Sequence, residues 1–154
     1  MERAFLRQAV RMAVESVRSG GGPFAALVVR DGVVIASGVN RVTDSLDPTA
    51  HAEIVAIREA CRALANFQLT GCEIYSSCEP CPMCLGAIFW ARPLRVVFAA
   101  TREDAAAAGF DDSLIYRQIT LPPSERGIPM LRLVDDESSA PFEAWISKTD
   151  RSPY

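Results

Sequence analysis

One histidine, one glutamate and two cysteines provide the side chains needed for metal-assisted hydrolysis. His51 offers a neutral imidazole, and Cys81 and Cys84 offer thiolates in a Cys-x-x-Cys arrangement. Three such ligands leave the fourth position of a zinc ion open for water, as in catalytic zinc sites. Glu53 follows the histidine by two residues, so its carboxylate can carry a proton from that water to a leaving amine without binding the metal. These residues predict a zinc-dependent hydrolase.

Two simpler interpretations exist for the same residues. Cys78, Cys81 and Cys84 are equally spaced, so Cys78 could complete a structural zinc site. Such sites use four protein ligands, usually in paired knuckles, and the chain has one histidine. Glu53 could be only a carboxylate that suits the positive end of a helix. We favour catalysis, because His-x-Glu followed by Pro-Cys-x-x-Cys is the signature of zinc nucleobase deaminases.

The size and composition of the chain are those of one globular domain. Its 154 residues can bury a substantial core, and 49% are hydrophobic and 23% charged. A net charge of −3 argues against a nucleic-acid partner, which needs clustered basic residues. No apolar run resembles a membrane span or a signal peptide. The five cysteines, an odd number, suit a reducing compartment, so we expect a cytoplasmic protein with no membrane partner.

Alternating strand and helix patterns would position the metal ligands. Strands are predicted over residues 24–29, 33–39, 71–77, 94–100 and 130–134. Helices are predicted over residues 4–19, 50–64, 104–108 and 141–148, with another from the turn at 80–84 to residue 91. Thr49 is the expected N-cap of the second helix, whose first turn would carry His51 and Glu53. The alternation indicates an α/β fold, a three-layer α/β/α sandwich around a mixed five-stranded sheet.

Three stretches of the chain resemble the cytidine-deaminase superfamily: Gly21-Gly22-Pro23-Phe24, Asp47-Pro48-Thr49-Ala50-His51-Ala52-Glu53 and Glu79-Pro80-Cys81-Pro82-Met83-Cys84. The tRNA adenosine deaminase branch is similar in the second of these and in Asn66-Phe67-Gln68-Leu69. The bacterial guanine deaminase branch is also similar at residues 76–78, 87–92, 109–116 and 141–145. The tRNA enzymes usually end in an Arg-rich helix, whereas this chain ends with charges of both signs. The resemblance therefore favours the guanine deaminase branch over nearly the whole chain.

This resemblance implies a reaction, a cofactor and a set of site residues. The implied reaction is hydrolysis of guanine to xanthine and ammonia, with one zinc ion per subunit held by His51, Cys81 and Cys84. Glu53 and Asp112 are the implied proton carriers. The implied substrate contacts are Phe24, Asn40, Ala52, Trp90 and Tyr154. From the residues alone, Asp112 is simply a solvated loop carboxylate, Asn40 a turn residue and the aromatics core residues.

The polar tail at residues 149–154 bears on oligomeric state. The resemblance implies one cytidine-deaminase-like domain over 1–154 in a homodimer, with C-terminal segments exchanged and Tyr154 lying over the partner's site, where it excludes water. A frayed terminus is the simpler interpretation of the tail. Three function classes remain open: a free-base deaminase acting on guanine, another aminopurine or an aminotriazine; a tRNA adenosine deaminase; and a non-catalytic zinc module.

Overall fold

The computed structural model describes residues 1–153 and divides the chain into two compact units, one ending at Asp112 and the other beginning at Ser113. The first unit holds every predicted site residue except Tyr154, which lies outside the described residues. Among the described helices, none combines the length and the apolar character that crossing a membrane requires.

The first unit alternates helices and strands much as the sequence predicts. Its elements are α1 (Glu2–Arg18), β1 (Ala25–Arg30), β2 (Val33–Val39), α2 (Val42–Ser45), α3 (Ala52–Leu64), β3 (Cys72–Cys78), α4 (Pro82–Ala91), β4 (Arg95–Ala100) and α5 (Arg102–Ala107). The second unit contains α6 (Ser113–Ile119), a short 3-10 helix (Pro123–Glu125) and α7 (Ala140–Ser147). The α/β class is confirmed.

The strands form one mixed sheet in the order β2-β1-β3-β4. Strand β1 is antiparallel to both β2 and β3, whereas β3 and β4 are parallel. Asp31 and Gly32 join β1 to β2 with φ angles of 50° and 76°. Two positive φ angles in a two-residue loop are what a tight hairpin needs, because they match the twist of the strands. The mixed sheet is confirmed.

The prediction of a fifth strand at residues 130–134 is wrong, since the sheet has four strands within the described chain. The segment is apolar enough to be mistaken for a buried strand, yet Leu131 and Leu133 are 84% and 88% exposed. A strand also needs a neighbour to pair its backbone groups, and these residues have none among the described ones. Apolar composition alone therefore misled the prediction.

Alternate residues of the strands contribute to two separate hydrophobic clusters. Ala26 and Val28 of β1 pack with Ala56 of α3 and with residues of α4. Leu27 and Val29, the intervening positions, pack with Ala9 of α1. Because successive side chains of a strand point to opposite faces, α1 covers one face of β1 and α3 the other.

Gly38 brings helix α3 into direct contact with strand β2. A Cβ placed at this glycine would lie 2.3 Å from the carbonyl oxygen of Ala52 and 2.6 Å from the backbone nitrogen of Ala56. Both distances are far shorter than any van der Waals contact, so the close approach requires a residue without a side chain. The contact fixes the first turn of α3, which carries Glu53, against the sheet.

Candidate active site

Two of the candidate metal ligands occupy the N-cap positions of helices. His51 precedes α3 and Cys81 precedes α4, each with extended backbone angles (φ −66°, ψ 156° and φ −65°, ψ 168°). The predicted N-cap, Thr49, is wrong: its backbone N–H and hydroxyl donate to Asp47 Oδ1 instead, at 2.8 and 2.7 Å. Neither His51 nor Cys81 caps its helix with its side chain, so both side chains remain available to the site.

The three candidate ligands converge through defined atoms. His51 Nδ1 lies 3.5 Å from Cys81 Sγ and 3.6 Å from Cys84 Sγ, and the ligand atoms all lie within 4.8 Å of one another. A tetrahedral zinc ion with bonds of about 2.3 Å to sulfur and about 2.0 Å to nitrogen holds such atoms roughly 3.5 Å apart. The donor set and its spacing therefore fit zinc, and Nδ1 is the histidine nitrogen that faces the two sulfur atoms.

The charges of the two thiols differ in a way that favours a cation. A hydrogen bond with Cys84 lowers the pKa of Cys81, and a further bond with His51 acts in the same direction. The same bond with Cys81, together with burial, raises the pKa of Cys84. The lowered pKa favours the thiolate form of Cys81, which is the form in which cysteine binds metals.

Glu53 lies beside the ligands in the most shielded part of the site. It is 5% exposed, and its Oε1 accepts a hydrogen bond of 2.9 Å from the Ser76 hydroxyl. Its Oε2 lies 3.4 Å from Cys84 Sγ. Burial raises the pKa of this carboxyl above its ordinary value. The geometry gives Glu53 the reach of a proton carrier next to the metal-binding group, as its position in the sequence predicts.

Asp112 is half-buried and ends the first unit, after a loop whose residues 109–111 are exposed. Burial, and then the negative charge of Cys81, raise the pKa of this carboxyl. In the same loop the ring of Phe110 packs edge-on against Phe24, with 5.0 Å between centroids and 87° between planes. The loop thereby packs on Phe24 through Phe110, two residues before Asp112.

Asn40 and Phe24 are linked through the backbone at the sheet edge. The Asn40 N–H donates to the Phe24 carbonyl oxygen at 3.0 Å, and the Asn40 Oδ1 accepts from the Val42 N–H at 3.2 Å. The amide NH2 group of Asn40 has no protein partner among the described residues. A Cβ at Gly22 would lie 3.1 Å from Asn40 Cγ, so the glycine loop packs directly on this side chain.

The remaining predicted contacts are placed differently. Ala52 is fully buried between His51 and Glu53. Trp90 is 62% exposed and follows Cys84 by six residues of α4, which is about 9 Å along the helix axis. Cys78 Sγ lies 3.5 Å from the Thr101 carbonyl oxygen, and among the described residues it is outside the possible metal cluster.

Ser76 is the site residue that sequence reasoning missed. It is 1% exposed and contacts Glu53, yet the sequence stretch Ser76-Ser77-Cys78 suggested only a family resemblance. The strand period contains a usable signal, because Cys72, Ile74 and Ser76 alternate along β3 and the first two are core residues. A serine that continues an apolar face requires a polar partner.

Comparison with known proteins supports the same chemistry. Residues 1–100 match the family model of the cytidine and deoxycytidylate deaminase zinc-binding region. The chain is 54% identical to guanine deaminase of Bacillus subtilis over 97% of both proteins. The solved structure of that enzyme matches with a TM-score of 0.97, covering 99% of this chain and 98% of that one.

Two further comparisons cover less of the chain. A tRNA-specific adenosine deaminase of Aquifex aeolicus is 44% identical over 62% of this chain and 64% of its own. A solved guanine deaminase of Nitrosomonas europaea is 36% identical, with a TM-score of 0.68 over 71% of this chain and 64% of that one. From the family match, the nearly full-length relative and the His-Cys-Cys group, this chain belongs to the family of zinc-binding cytidine and deoxycytidylate deaminases.

Proposed function

We propose that the protein is a zinc-dependent aminohydrolase that converts guanine to xanthine and ammonia. The observation that carries this function is the 54% identity to a guanine deaminase over 97% of the chain, against 62% coverage by the Aquifex tRNA deaminase. The longer match extends past the zinc-binding region at residues 1–100. Substrate choice within this family depends on the walls of the pocket, so similarity beyond the metal ligands is the relevant evidence.

His51, Cys81 and Cys84 would hold the zinc ion through Nδ1 and two Sγ atoms. When bound, zinc lowers the pKa of a water molecule and so supplies the nucleophile for attack at the amino-bearing carbon of the purine. The protein's part would be to hold the three ligands in place at the starts of α3 and α4. The buried carboxylate of Glu53 stays outside the ligand set and free for proton transfer.

Glu53 would move the first proton. It takes a proton from the attacking water and delivers it to the ring nitrogen beside C2 of guanine. Its raised pKa, caused by burial, brings the acid and the carboxylate forms closer in energy near neutral pH, which is what a group that both accepts and donates requires. The ring nitrogen gains the proton, and the carbon gains the C–O bond.

Asp112 would serve the leaving group. The C2–N bond breaks only when the exocyclic amine carries enough protons to depart as ammonia. A partly buried carboxyl with a raised pKa can accept a hydrogen bond from that amine and pass to it the proton that the new C2 hydroxyl loses as it becomes a carbonyl. The product keeps the oxygen as a carbonyl, so the overall change is guanine plus water to xanthine plus ammonia.

The aromatic and amide side chains would hold the purine. Phe24 offers a ring face beside the loop of Asp112, and the unpartnered NH2 group of Asn40 suits an acceptor on the purine edge. Ala52 lies between the ligand histidine and Glu53, where its backbone can contact the substrate. We also propose that Trp90, whose side chain is 62% exposed in the single chain, packs against the purine.

We propose that the chain is a single deaminase domain, a three-layer sandwich that exchanges residues 149–154 with a second copy. The second unit has few buried side chains of its own: Leu131, Leu133 and Phe142 are 84%, 88% and 70% exposed. Apolar patches of this kind are usually covered in a functional protein. Tyr154 would lie over the partner's site. The five free thiols favour a reducing cytoplasm.

Ammonia release from a panel of substrates tests the proposed function. Guanine, adenine, cytosine, an aminotriazine and a tRNA anticodon stem-loop are compared on one preparation whose zinc content is measured. We expect turnover of guanine with about one zinc ion per subunit. Turnover of the stem-loop alone would assign the protein to the tRNA branch, and full zinc with no turnover of any member would contradict the proposal.

A further inference from the structure

Ser76 is a buried polar residue at a position where packing of the core alone would favour an apolar side chain. It is 1% exposed and lies on the central strand β3, where its backbone pairs with Ala26 of β1 and Phe98 of β4. Strand neighbours on both sides make this one of the least mobile backbone positions of the sheet. The preceding residue on the same face, Ile74, belongs to the hydrophobic cluster under α3.

The hydroxyl of Ser76 is committed to Glu53. It donates to Glu53 Oε1 at 2.9 Å, while the Cys78 N–H donates to Ser76 Oγ at 3.5 Å. The second contact occupies an acceptor position of the hydroxyl and leaves its hydrogen for Glu53. The other carboxylate oxygen, Oε2, faces Cys84 Sγ at 3.4 Å. The two oxygens of Glu53 therefore have different neighbours.

We propose that Ser76 is a positioning residue of the deamination, holding Oε1 of Glu53 against the central strand so that Oε2 stays directed at the metal-binding group. A glutamate side chain has several rotatable bonds, and without an anchor its carboxylate samples orientations that do not reach the water or the substrate. Hydrogen-bond partners of this kind orient the groups that do the chemistry. The inference rests on the proposed function of Glu53.

Ser77 provides a matched control on the neighbouring position of the same strand. It is also buried, at 7% exposed, and its Oγ accepts a hydrogen bond of 3.0 Å from the Ala25 N–H. This bond ties β3 to the start of β1 and does not involve Glu53. Removal of the Ser77 hydroxyl deletes one buried hydrogen bond, and removal of the Ser76 hydroxyl deletes that to Glu53 and the longer one from the Cys78 N–H. Only the Ser76 hydroxyl orients the carboxylate.

The test compares Ser76→Ala, Ser76→Cys and Ser77→Ala with the wild-type protein in guanine turnover, zinc content and thermal unfolding. We expect Ser76→Ala to lower kcat by about tenfold or more, with KM and zinc content unchanged. The Ser76→Cys variant keeps the shape of the side chain and a weak donor, so its kcat should lie between that of the wild-type protein and that of Ser76→Ala. Ser77→Ala should keep its kcat. In a Glu53→Gln background, Ser76→Ala should lower the residual kcat no further, because its effect passes through Glu53.

Two results would overturn the positioning role. One is a wild-type kcat in Ser76→Ala, and the other is an equal loss of kcat in Ser76→Ala and Ser77→Ala, which would indicate general destabilisation. Zinc-loaded wild-type protein that releases no ammonia from guanine would contradict the proposed function and, with it, this inference. Active wild-type protein beside an active Ser76→Ala variant would contradict the inference alone.

Discussion

Glu53 combines a carboxylate, near-complete burial and a neighbouring thiol, and together these lower the stability of the folded protein. Burial raises the pKa of a carboxyl because the charged form loses its hydration, so such a position is retained where proton transfer needs it. The spacing His-x-Glu predicts this arrangement well, since one residue between the two keeps both at the start of one helix. Asp112 was not predictable from residue type, because its environment depends on a loop packing against Phe24.

Replacement of Glu53 by Gln should lower kcat for guanine by about 10²–10⁴-fold, because general acid–base transfer by one side chain contributes that much. Zinc content should stay unchanged, since Glu53 lies outside the His-Cys-Cys group. Glu59→Gln is the control, as Glu59 is an exposed carboxylate of the same helix. Steady-state ammonia release and metal analysis check both points, and an active Glu53→Gln enzyme would remove this residue from the mechanism.

At the scale of elements, prediction succeeds where turns and capping signals bound a pattern. Strand β2 is predicted with its observed limits, Val33–Val39, because Asp31-Gly32 marks its start. The prediction of a strand at residues 130–134 is wrong because an apolar run forms a strand only when another strand pairs with its backbone. The sequence does not show whether such a partner exists. The start of α3 is shifted by two residues because Thr49 bonds locally to Asp47.

Two glycine substitutions should have opposite effects on stability. Gly38→Ala would place a methyl group against the backbone of α3, so we expect destabilisation by about 1–3 kcal/mol together with weaker zinc retention. Gly86→Ala, in α4, meets no atom within 4 Å, so it should stabilise by about 0.5–1 kcal/mol through higher helix propensity. Urea unfolding and metal analysis check the pair. Equal effects of the two substitutions would contradict the contact of α3 with β2.

A carboxylate network connects β3, β4 and α1 away from the site. The Tyr75 hydroxyl, and then Arg95, lower the pKa of Glu73 by hydrogen bonding, and Arg95 also pairs with Glu2. A depressed pKa in the folded state means that the contribution of Glu73 to stability is present above its unfolded pKa of about 4.3 and is lost as the pH falls through the folded value.

The urea midpoint of the wild-type protein should therefore exceed that of Glu73→Gln at neutral pH. The difference should shrink as the pH falls through the lowered folded-state pKa of Glu73 and disappear below it, where the carboxyl is protonated in both the folded and the unfolded protein. Unfolding curves of the two proteins at several pH values measure this difference. A constant difference across the range would show that Glu73 acts through packing and not through its charge.

At the scale of the whole molecule, experiments can distinguish two arrangements of the C-terminal tail: exchange between two chains, and closure over the site of its own chain. Deletion of residues 152–154 should lower guanine turnover without loss of zinc, because the proposed lid is removed while the ligands remain. The protein should sediment as about twice the chain mass of 16.8 kDa.

Mixing the tail-deleted chain with Glu53→Gln chains under refolding conditions should restore part of the activity. In a mixed dimer the intact Glu53 site would receive the intact tail of its partner. Recovery of ammonia release above that of either variant alone would support exchange. A mixture that only averages the two parents would indicate that each tail serves its own chain.

Because His51 and Cys81 occupy N-cap positions, a shortage of zinc in the cell would affect the stability of the protein. Both helices begin without a side-chain cap, since the two residues that should supply one are turned toward each other across the site. Zinc would thus cross-link the N-termini of two helices that lie thirty residues apart in the chain, in addition to its part in the reaction. Metal starvation would then shorten the lifetime of the protein as well as inactivate it, because local unfolding at residues 51 and 81 would expose the chain to proteolysis.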